Sequence, residues 1–220
     1  MSVTNRLARL DGILKQHNEG EWSGADNSKY SAFNDAGLEC ETGEFMYAMA
    51  RILKPDYVLE TGTHWGIGAS YMGMALLDNG GGHLDTVEFI PEIHDVAKAR
   101  IDRLGLQGYV KCHLGDVATF TPEQNYKLIL LDTEPQTRFA EIIKFYPYLE
   151  PGGFVFIHDL HRHMHQIPNE EHGFAWPYGE LPKQIKQWVA NDELRPFHFE
   201  TPRGLTGFYK THPDDYKWKL

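Results

Sequence analysis

The stretch Val58-Leu59-Glu60-Thr61-Gly62-Thr63-His64-Trp65-Gly66-Ile67-Gly68-Ala69-Ser70 constrains the chain more than any other. An apolar run, Tyr57-Val58-Leu59, ends on a carboxylate and passes at once into a glycine-rich turn. A helical pattern, Tyr71 to Leu77, follows. Strand, tight turn and helix in that order form the crevice where open α/β sheets take nucleotide-like ligands. Glycines at 62, 66 and 68 let the backbone turn sharply and let a ligand lie against it. The helix N-terminus beyond them offers N–H groups to a carboxylate or phosphate.

The spacing narrows the ligand. A dinucleotide fingerprint reads G-x-G-x-x-G, and a phosphate loop ends in Gly-Lys-Ser/Thr. Here the order is Glu-x-Gly-x-x-x-Gly-x-Gly with no lysine after it, so neither pattern is met.

The rest of the chain repeats the strand–helix alternation. Thr42 is placed to cap a helix through Phe45, Met46, Ala48, Met49, Ile52 and Leu53, which Lys54-Pro55-Asp56 ends. Later strands are expected at His83 to Glu88, Tyr109 to Leu114, Tyr126 to Leu131 and Phe154 to His158. Between them, Pro91 opens a helix whose apolar face is Ile93, Val96, Ala97 and Ile101, and a second helix is expected from Phe139 to Tyr148. Glu150-Pro151-Gly152-Gly153 reads as a break. A helix from Leu181 to Ala190 precedes two strand-like runs, Pro196 to Thr201 and Leu205 to Tyr209, joined by Pro202-Arg203-Gly204 as a hairpin. Such alternation predicts an α/β, Rossmann-like, doubly wound sheet: parallel strands, then a C-terminal antiparallel hairpin.

The five expected parallel strands end on or just before Glu60, Glu88, Asp116, Asp132 and Asp159. That edge is where α/β ligand sites form, and acidic residues there exceed what helix capping alone asks for. The segment after Asp159, Leu160-His161-Arg162-His163-Met164-His165 and on to Tyr178, is rich in histidine, aromatics and proline, and reads as a loop beside the site. Residues 1–37 are expected to form an N-terminal helix and a polar loop, a second candidate lid, and residues 38–220 the main domain.

Composition bounds the setting. A chain of 220 residues with 41% hydrophobic content suits one α/β domain with a short extension. The two cysteines, Cys40 and Cys112, form no disulfide framework, which points to a reducing cytoplasm. The N-terminus lacks the apolar core of a signal peptide. A formal net charge of −10 argues against nucleic acid or an anionic membrane surface as partner.

With the strands in view, residues 38–211 resemble a class I S-adenosylmethionine-dependent methyltransferase, whose first motif is an acidic residue followed by Gly-x-x-x-Gly. Leu131-Asp132, Tyr148-Leu149-Glu150-Pro151-Gly152-Gly153 and Ile157-His158-Asp159 resemble the small-molecule O-methyltransferases, of catechol type and among the cephalosporin hydroxylase-like and macrolide-sugar relatives. The resemblance implies S-adenosylmethionine as cofactor. It implies that Glu60, Gly62, Thr63, His64 and Gly66 line or shape its pocket, Glu88 bonds the ribose hydroxyls, and Asp116 faces the adenine amino group. The catechol-type serine two residues after Gly66 is Gly68 here, so Ser70 is the stand-in.

The resemblance also assigns Asp132 and Asp159 to a divalent cation such as Mg²⁺, with Asp132 beside the cofactor as well. The third ligand of that family, directly after the second aspartate, is replaced by Leu160, and His161 is the substitute, which shifts preference toward a transition metal. Metal-assisted and metal-free routes stay open at this point. The catechol-type lysine is absent from Thr133-Glu134-Pro135-Gln136, so His161, His163 and His158 are the candidate bases. The expected activity is methyl transfer to a hydroxyl of a small molecule. A nucleotide-cofactor oxidoreductase and a non-catalytic ligand or metal binder on the same fold are the alternatives. The oligomeric state stays open, a homodimer included.

Overall fold

The computed structural model describes residues 38–134, 136–159, 181–199, 201 and 204–214. The expected N-terminal helix and loop, and the histidine-rich segment from Leu160 to Tyr178, lie outside the described residues. The chain divides into two compact units, Met1–Thr121 and Pro122–Leu220.

In the first unit, helix α1 (Cys40–Leu53) starts two residues before the expected cap. Glu39 is the N-cap, and Thr42 sits in the first turn, where its hydroxyl donates to Glu39 Oε2 at 3.2 Å. Lys54 ends the helix in the left-handed region, φ 47°, with its N–H on the Ala50 carbonyl. Pro55 then prevents continuation. The buried face of α1 (Cys40, Gly43, Met46, Ala50) packs on helix α2 (Ile67–Asn79). A Cβ on Gly43 would lie 2.3 Å from a Tyr71 ring carbon, so this crossing needs glycine. Helix α2 is buried without interruption from Ile67 to Leu76, longer and more enclosed than its amphipathic signal announces.

Strands β1 (Tyr57–Thr61), β2 (His83–Glu88) and β3 (Val110–Leu114) run parallel, in the order β3-β2-β1. Helix α3 (Pro91–Arg103) opens on its proline, as expected. Its buried face is Ala97, Arg100 and Ile101, an i, i+3, i+4 set, while Val96 is exposed. The sequence reading placed Val96 inside. The helix turns so that a charged residue takes the inner position instead.

In the second unit, strand β4 (Tyr126–Leu131) is buried at every position but one, as a strand covered on both faces must be. Helix α4 (Arg138–Phe145) is shorter than read; a 3₁₀ turn, Tyr146–Tyr148, follows because Pro147 has no N–H to continue the ladder. Strand β5 (Leu149–His158) begins where a break was expected. Its pairing with β4 slips between Tyr126 and Leu128, and Gly152 takes up the irregularity at φ 72°. Helix α5 (Lys183–Ala190) starts after Pro182, whose ring disfavours helical conformation at Leu181. Strands β6 (Leu194–Phe199) and β7 (Leu205–Lys210) form the antiparallel hairpin, and β7 pairs antiparallel with β5, so this unit runs β4-β5-β7-β6. The architecture is the α/β, Rossmann-like one that the alternation predicts.

Candidate functional site

The first unit holds the glycine turn. Gly62, His64 and Gly66 have φ of 78°, 47° and 77°, three left-handed residues within five positions. Histidine is an uncommon occupant of that region, so its neighbours must hold it there. They do: the Gly62 and Thr63 N–H groups donate to the Val87 carbonyl at 3.0 and 3.2 Å, and the His64 N–H donates to Glu88 Oε2 at 2.9 Å. Gly66 closes the turn with its N–H on the Thr63 carbonyl at 2.8 Å, and a Cβ there would press on Ala97 at 3.3 Å.

Glu88 is almost buried, 6% exposed, and organises three backbone donors. Its Oε1 accepts from the Phe89 and Ile90 N–H groups, both at 3.0 Å, and its Oε2 accepts from His64. A carboxylate has about four acceptor positions, so Oε2 retains one beyond these contacts, suited to a hydroxyl donor. Glu60 is turned inward: the Thr63 hydroxyl donates to Thr86 at 2.6 Å and Thr86 donates to Glu60 Oε2 at 2.5 Å. The direction of that relay follows from the carboxylate at its end, which only accepts. His64 stacks on Trp65, with centroids 5.2 Å apart. From α3, Arg100 Nε donates to the Trp65 carbonyl at 2.6 Å. Burial, and then the Arg103 charge, lower the Arg100 guanidinium to about 10, which leaves it cationic at neutral pH. Burial first, and the Glu60 charge second, push the Cys112 thiol up to about 11.

Two expected cofactor contacts have other tasks. Ser70 is fully buried and its hydroxyl donates to the Gly66 carbonyl at 2.5 Å, so its proton is unavailable to a ligand carboxylate. Asp116 is exposed, and its Oδ1 caps the following turn by accepting from the Ala118 N–H at 2.8 Å.

The second unit holds a separate cluster at the ends of β4 and β5. Asp132 follows β4 directly, and Asp159 follows β5 in the left-handed region at φ 56°. Between them in chemistry stands His158, fully buried, with Nδ1 2.9 Å from Asp132 Oδ1 and 3.4 Å from Asp159 Oδ1. Flanked by carboxylates, Nδ1 carries the proton. Ligand atoms of Asp132, His158 and Asp159 lie within 4.8 Å of one another, the spacing of a metal cluster. The two aspartates assigned to a cation are thus brought together, with His158 as the histidine between them. The substitute ligand His161 and the candidate base His163 lie outside the described residues.

A fourth side chain changes what the cluster can hold. Arg138, the first residue of α4, is 2% exposed and reaches both carboxylates with one nitrogen: Nη2 is 3.2 Å from Asp132 Oδ1 and 3.0 Å from Asp159 Oδ2. Its Nε donates to the Thr133 carbonyl at 2.7 Å, Nη2 donates to the same carbonyl, and Nη1 donates to the His158 carbonyl. Beside it, Thr133 and Thr137 both donate to the buried Glu141 carboxylate. Two like carboxylates this close need a cation between them, and the guanidinium meets that need. A divalent ion on Asp132 Oδ1 and Asp159 Oδ2 has to share both oxygens with a buried charge, so the residues present do not fit one. Sequence reasoning missed Arg138. Its signal was a charged residue on the apolar stripe of α4, where Arg138, Glu141, Ile142 and Phe145 recur at i, i+3, i+4 and i+7.

Left-handed glycine turn, acidic strand ends and terminal antiparallel hairpin together belong to a Rossmann-like α/β architecture. Residues 59–160 match a family model described as a methyltransferase domain. No curated protein matches the sequence. Among solved structures, the chain is similar to the O-methyltransferase TomG of Streptomyces achromogenes, involved in tomaymycin synthesis and solved with SAM. That likeness is 16% identity over 80% of this chain and 82% of the other, with a TM-score of 0.65. It is similar to the O-methyltransferase of Bacillus cereus solved with SAH, at 17% identity, 92% and 91% coverage and a TM-score of 0.65. For the SAH-bound methyltransferase PaMTH1 of Podospora anserina the values are 15%, 94%, 87% and 0.64. At these identities the likeness is one of fold. No described helix is long and apolar enough to cross a membrane.

Proposed function

We propose that the protein transfers the methyl group of S-adenosylmethionine to a hydroxyl of a small molecule in a reducing cytoplasm. The observation that carries this reading is the left-handed turn at residues 62–66, tied through its His64 N–H to the Glu88 carboxylate, inside a methyltransferase domain. Neighbours of the same fold were solved with SAM or SAH, which supports the same cofactor here.

The bound cofactor supplies a sulfonium methyl: the acceptor oxygen forms the new C–O bond as the C–S bond breaks, and the oxygen's proton leaves to a base. This chain's residues bind, orient and exclude water. Glu88 offers its remaining Oε2 acceptor position to ribose hydroxyls, a task for a group that only accepts. Gly62 and Gly66 keep the backbone open to close approach, and His64 and Trp65 present a stacked aromatic wall. Glu60 and Thr63 act through their hydroxyl relay with Thr86, which fixes the floor of the turn. Asp116 has a second carboxylate oxygen for the adenine-facing role. Of the candidate bases, His158 is enclosed and holds two carboxylates, so it positions rather than contacts substrate. His161 and His163 are the proposed proton acceptors. In-line transfer asks mainly for alignment in a dry site, so no stronger acid–base device is required.

Calorimetry tests the reading directly. S-adenosylhomocysteine should bind with one-to-one stoichiometry and NAD(H) should give no heat. Tight NAD(H) binding with no response to S-adenosylhomocysteine would overturn it.

A further inference from the structure

We propose that the Arg138 guanidinium takes the place of the divalent cation that small-molecule O-methyltransferases of the resembled type hold between their strand-end aspartates. The protein then works with no metal ion at Asp132 and Asp159. The consequence for turnover rests on the methyltransferase reading; the metal-binding test below does not.

One nitrogen, Nη2, sits within hydrogen-bond distance of both carboxylates, 3.2 Å from Asp132 Oδ1 and 3.0 Å from Asp159 Oδ2. It therefore bridges one oxygen of each carboxylate. The rest of the guanidinium is anchored to the backbone at both strand ends, to the Thr133 carbonyl just past β4 and the His158 carbonyl at the end of β5. An ammonium could approach the same oxygens, but only the planar fork reaches two carboxylates and two carbonyls at once.

The group also has no way to yield. With 3% of its side chain exposed, it cannot swing into solvent without taking the permanent positive charge away from both carboxylates. A histidine at this position could lose a proton and make room for a metal, but arginine does not deprotonate in proteins. An incoming ion meets a permanent positive charge already bound to one oxygen of each carboxylate, and His158 Nδ1, turned to Asp132, carries a proton rather than an open lone pair. Sequence at the next position agrees: Leu160 stands where the resembled enzymes have an oxygen ligand. Arg138 is thus a positioning residue. It fixes the spacing of the β4 and β5 ends and neutralises their charge, and the acceptor hydroxyl receives no Lewis-acid help from this cluster.

The experiment is a Mn²⁺ titration of the 220-residue chain, free Mn²⁺ being read by electron paramagnetic resonance. It compares wild type, Asp159→Asn, Arg138→Lys, Arg138→Met and Arg138→Met with Asp159→Asn. Wild type and the lysine variant should take up no stoichiometric Mn²⁺ up to about 1 mM, the weak end of protein cation sites. Arg138→Met should gain a one-to-one site at least about tenfold tighter, and adding Asp159→Asn should remove it. Stoichiometric Mn²⁺ binding by wild type that Asp159→Asn abolishes overturns the inference, and this arm stands even if Arg138→Met does not fold. A folded Arg138→Met variant without a new site overturns it too. Turnover separates the two readings. If S-adenosylhomocysteine binds but methylation stops in chelator and returns with Mg²⁺ or Mn²⁺, the arginine inference fails and the methyltransferase reading survives. If S-adenosylhomocysteine does not bind while Mn²⁺ behaves as described, the reverse holds.

Discussion

Glu88 shows how one carboxylate can serve fold and ligand together. Its three backbone donors fix the glycine turn, and its remaining acceptor position is what a ribose hydroxyl would use. Glu88→Ala should therefore weaken S-adenosylhomocysteine binding by about 1–3 kcal/mol, the worth of a charge-assisted hydrogen bond. Affinity and melting temperature should be measured on the same sample, because the lost backbone contacts lower stability as well. A variant that melts lower yet binds S-adenosylhomocysteine unchanged would confine Glu88 to a structural role. Asp159 and His64 form a pair at this scale: each is a non-glycine residue in the left-handed region directly beside a strand-end carboxylate cluster or turn. Such conformations persist where surrounding contacts over-determine them.

At the scale of elements, glycines set how closely strands and helices approach. The clearest case is Gly207 in β7, where a Cβ would lie 2.2 Å from the Phe197 ring of β6 and 2.9 Å from Phe156 of β5. Phe156 and Phe197 pack edge to face across that gap, centroids 5.6 Å apart. Gly207→Ala should cost about 1–3 kcal/mol through overpacking. Gly81→Ala, where nothing lies within 4 Å of the added carbon, should leave the urea midpoint nearly unchanged. Equal midpoints for the two variants would contradict the packing of the hairpin. The same unit carries a further lock: Lys210 Nζ donates to the Tyr146 and Leu149 carbonyls at 3.0 and 2.7 Å and sits 4.2 Å from the Tyr146 ring centroid, while Tyr146 stacks on Trp188. That ties the 3₁₀ turn, α5 and β7 together within the unit.

For the whole molecule, the formal net charge of −10 governs which partners it attracts. Nucleic-acid binding draws its affinity from phosphate neutralisation by lysine and arginine, and here 21 such residues face 31 acidic ones. The protein should give no shift of duplex DNA in a gel even at low salt. A salt-sensitive shift would require a basic face that the overall charge conceals. The same acidic balance suits a sulfonium cofactor better than an anionic one.

The strand–turn–helix alternation, the β2 and β4 boundaries, the proline opening α3 and the C-terminal hairpin were legible in the sequence. They depend on local terms: apolar periodicity, the fixed φ of proline, the freedom of glycine. So was the gathering of Asp132 and Asp159, because neighbouring parallel strands end at a common edge, Leu131 standing opposite Ile157. Other features were decided by the tertiary structure alone. The break at Glu150 to Gly153 is a strand irregularity, since β4 supplies partners for the backbone on both sides of it. Val96 faces out because the packing of α3 buries Arg100 at the inner position. Ser70 spends its proton on its own helix, which periodicity cannot reveal. Above all, sequence placed two carboxylates together but not the charge between them. Arg138 lies six residues past Asp132 and twenty-one before Asp159, and only the docking of α4 on the two strand ends makes it their common partner. Long-range pairing of buried charges is fixed by desolvation and by the contacts a fold makes available, and neither is written in any local window of the chain.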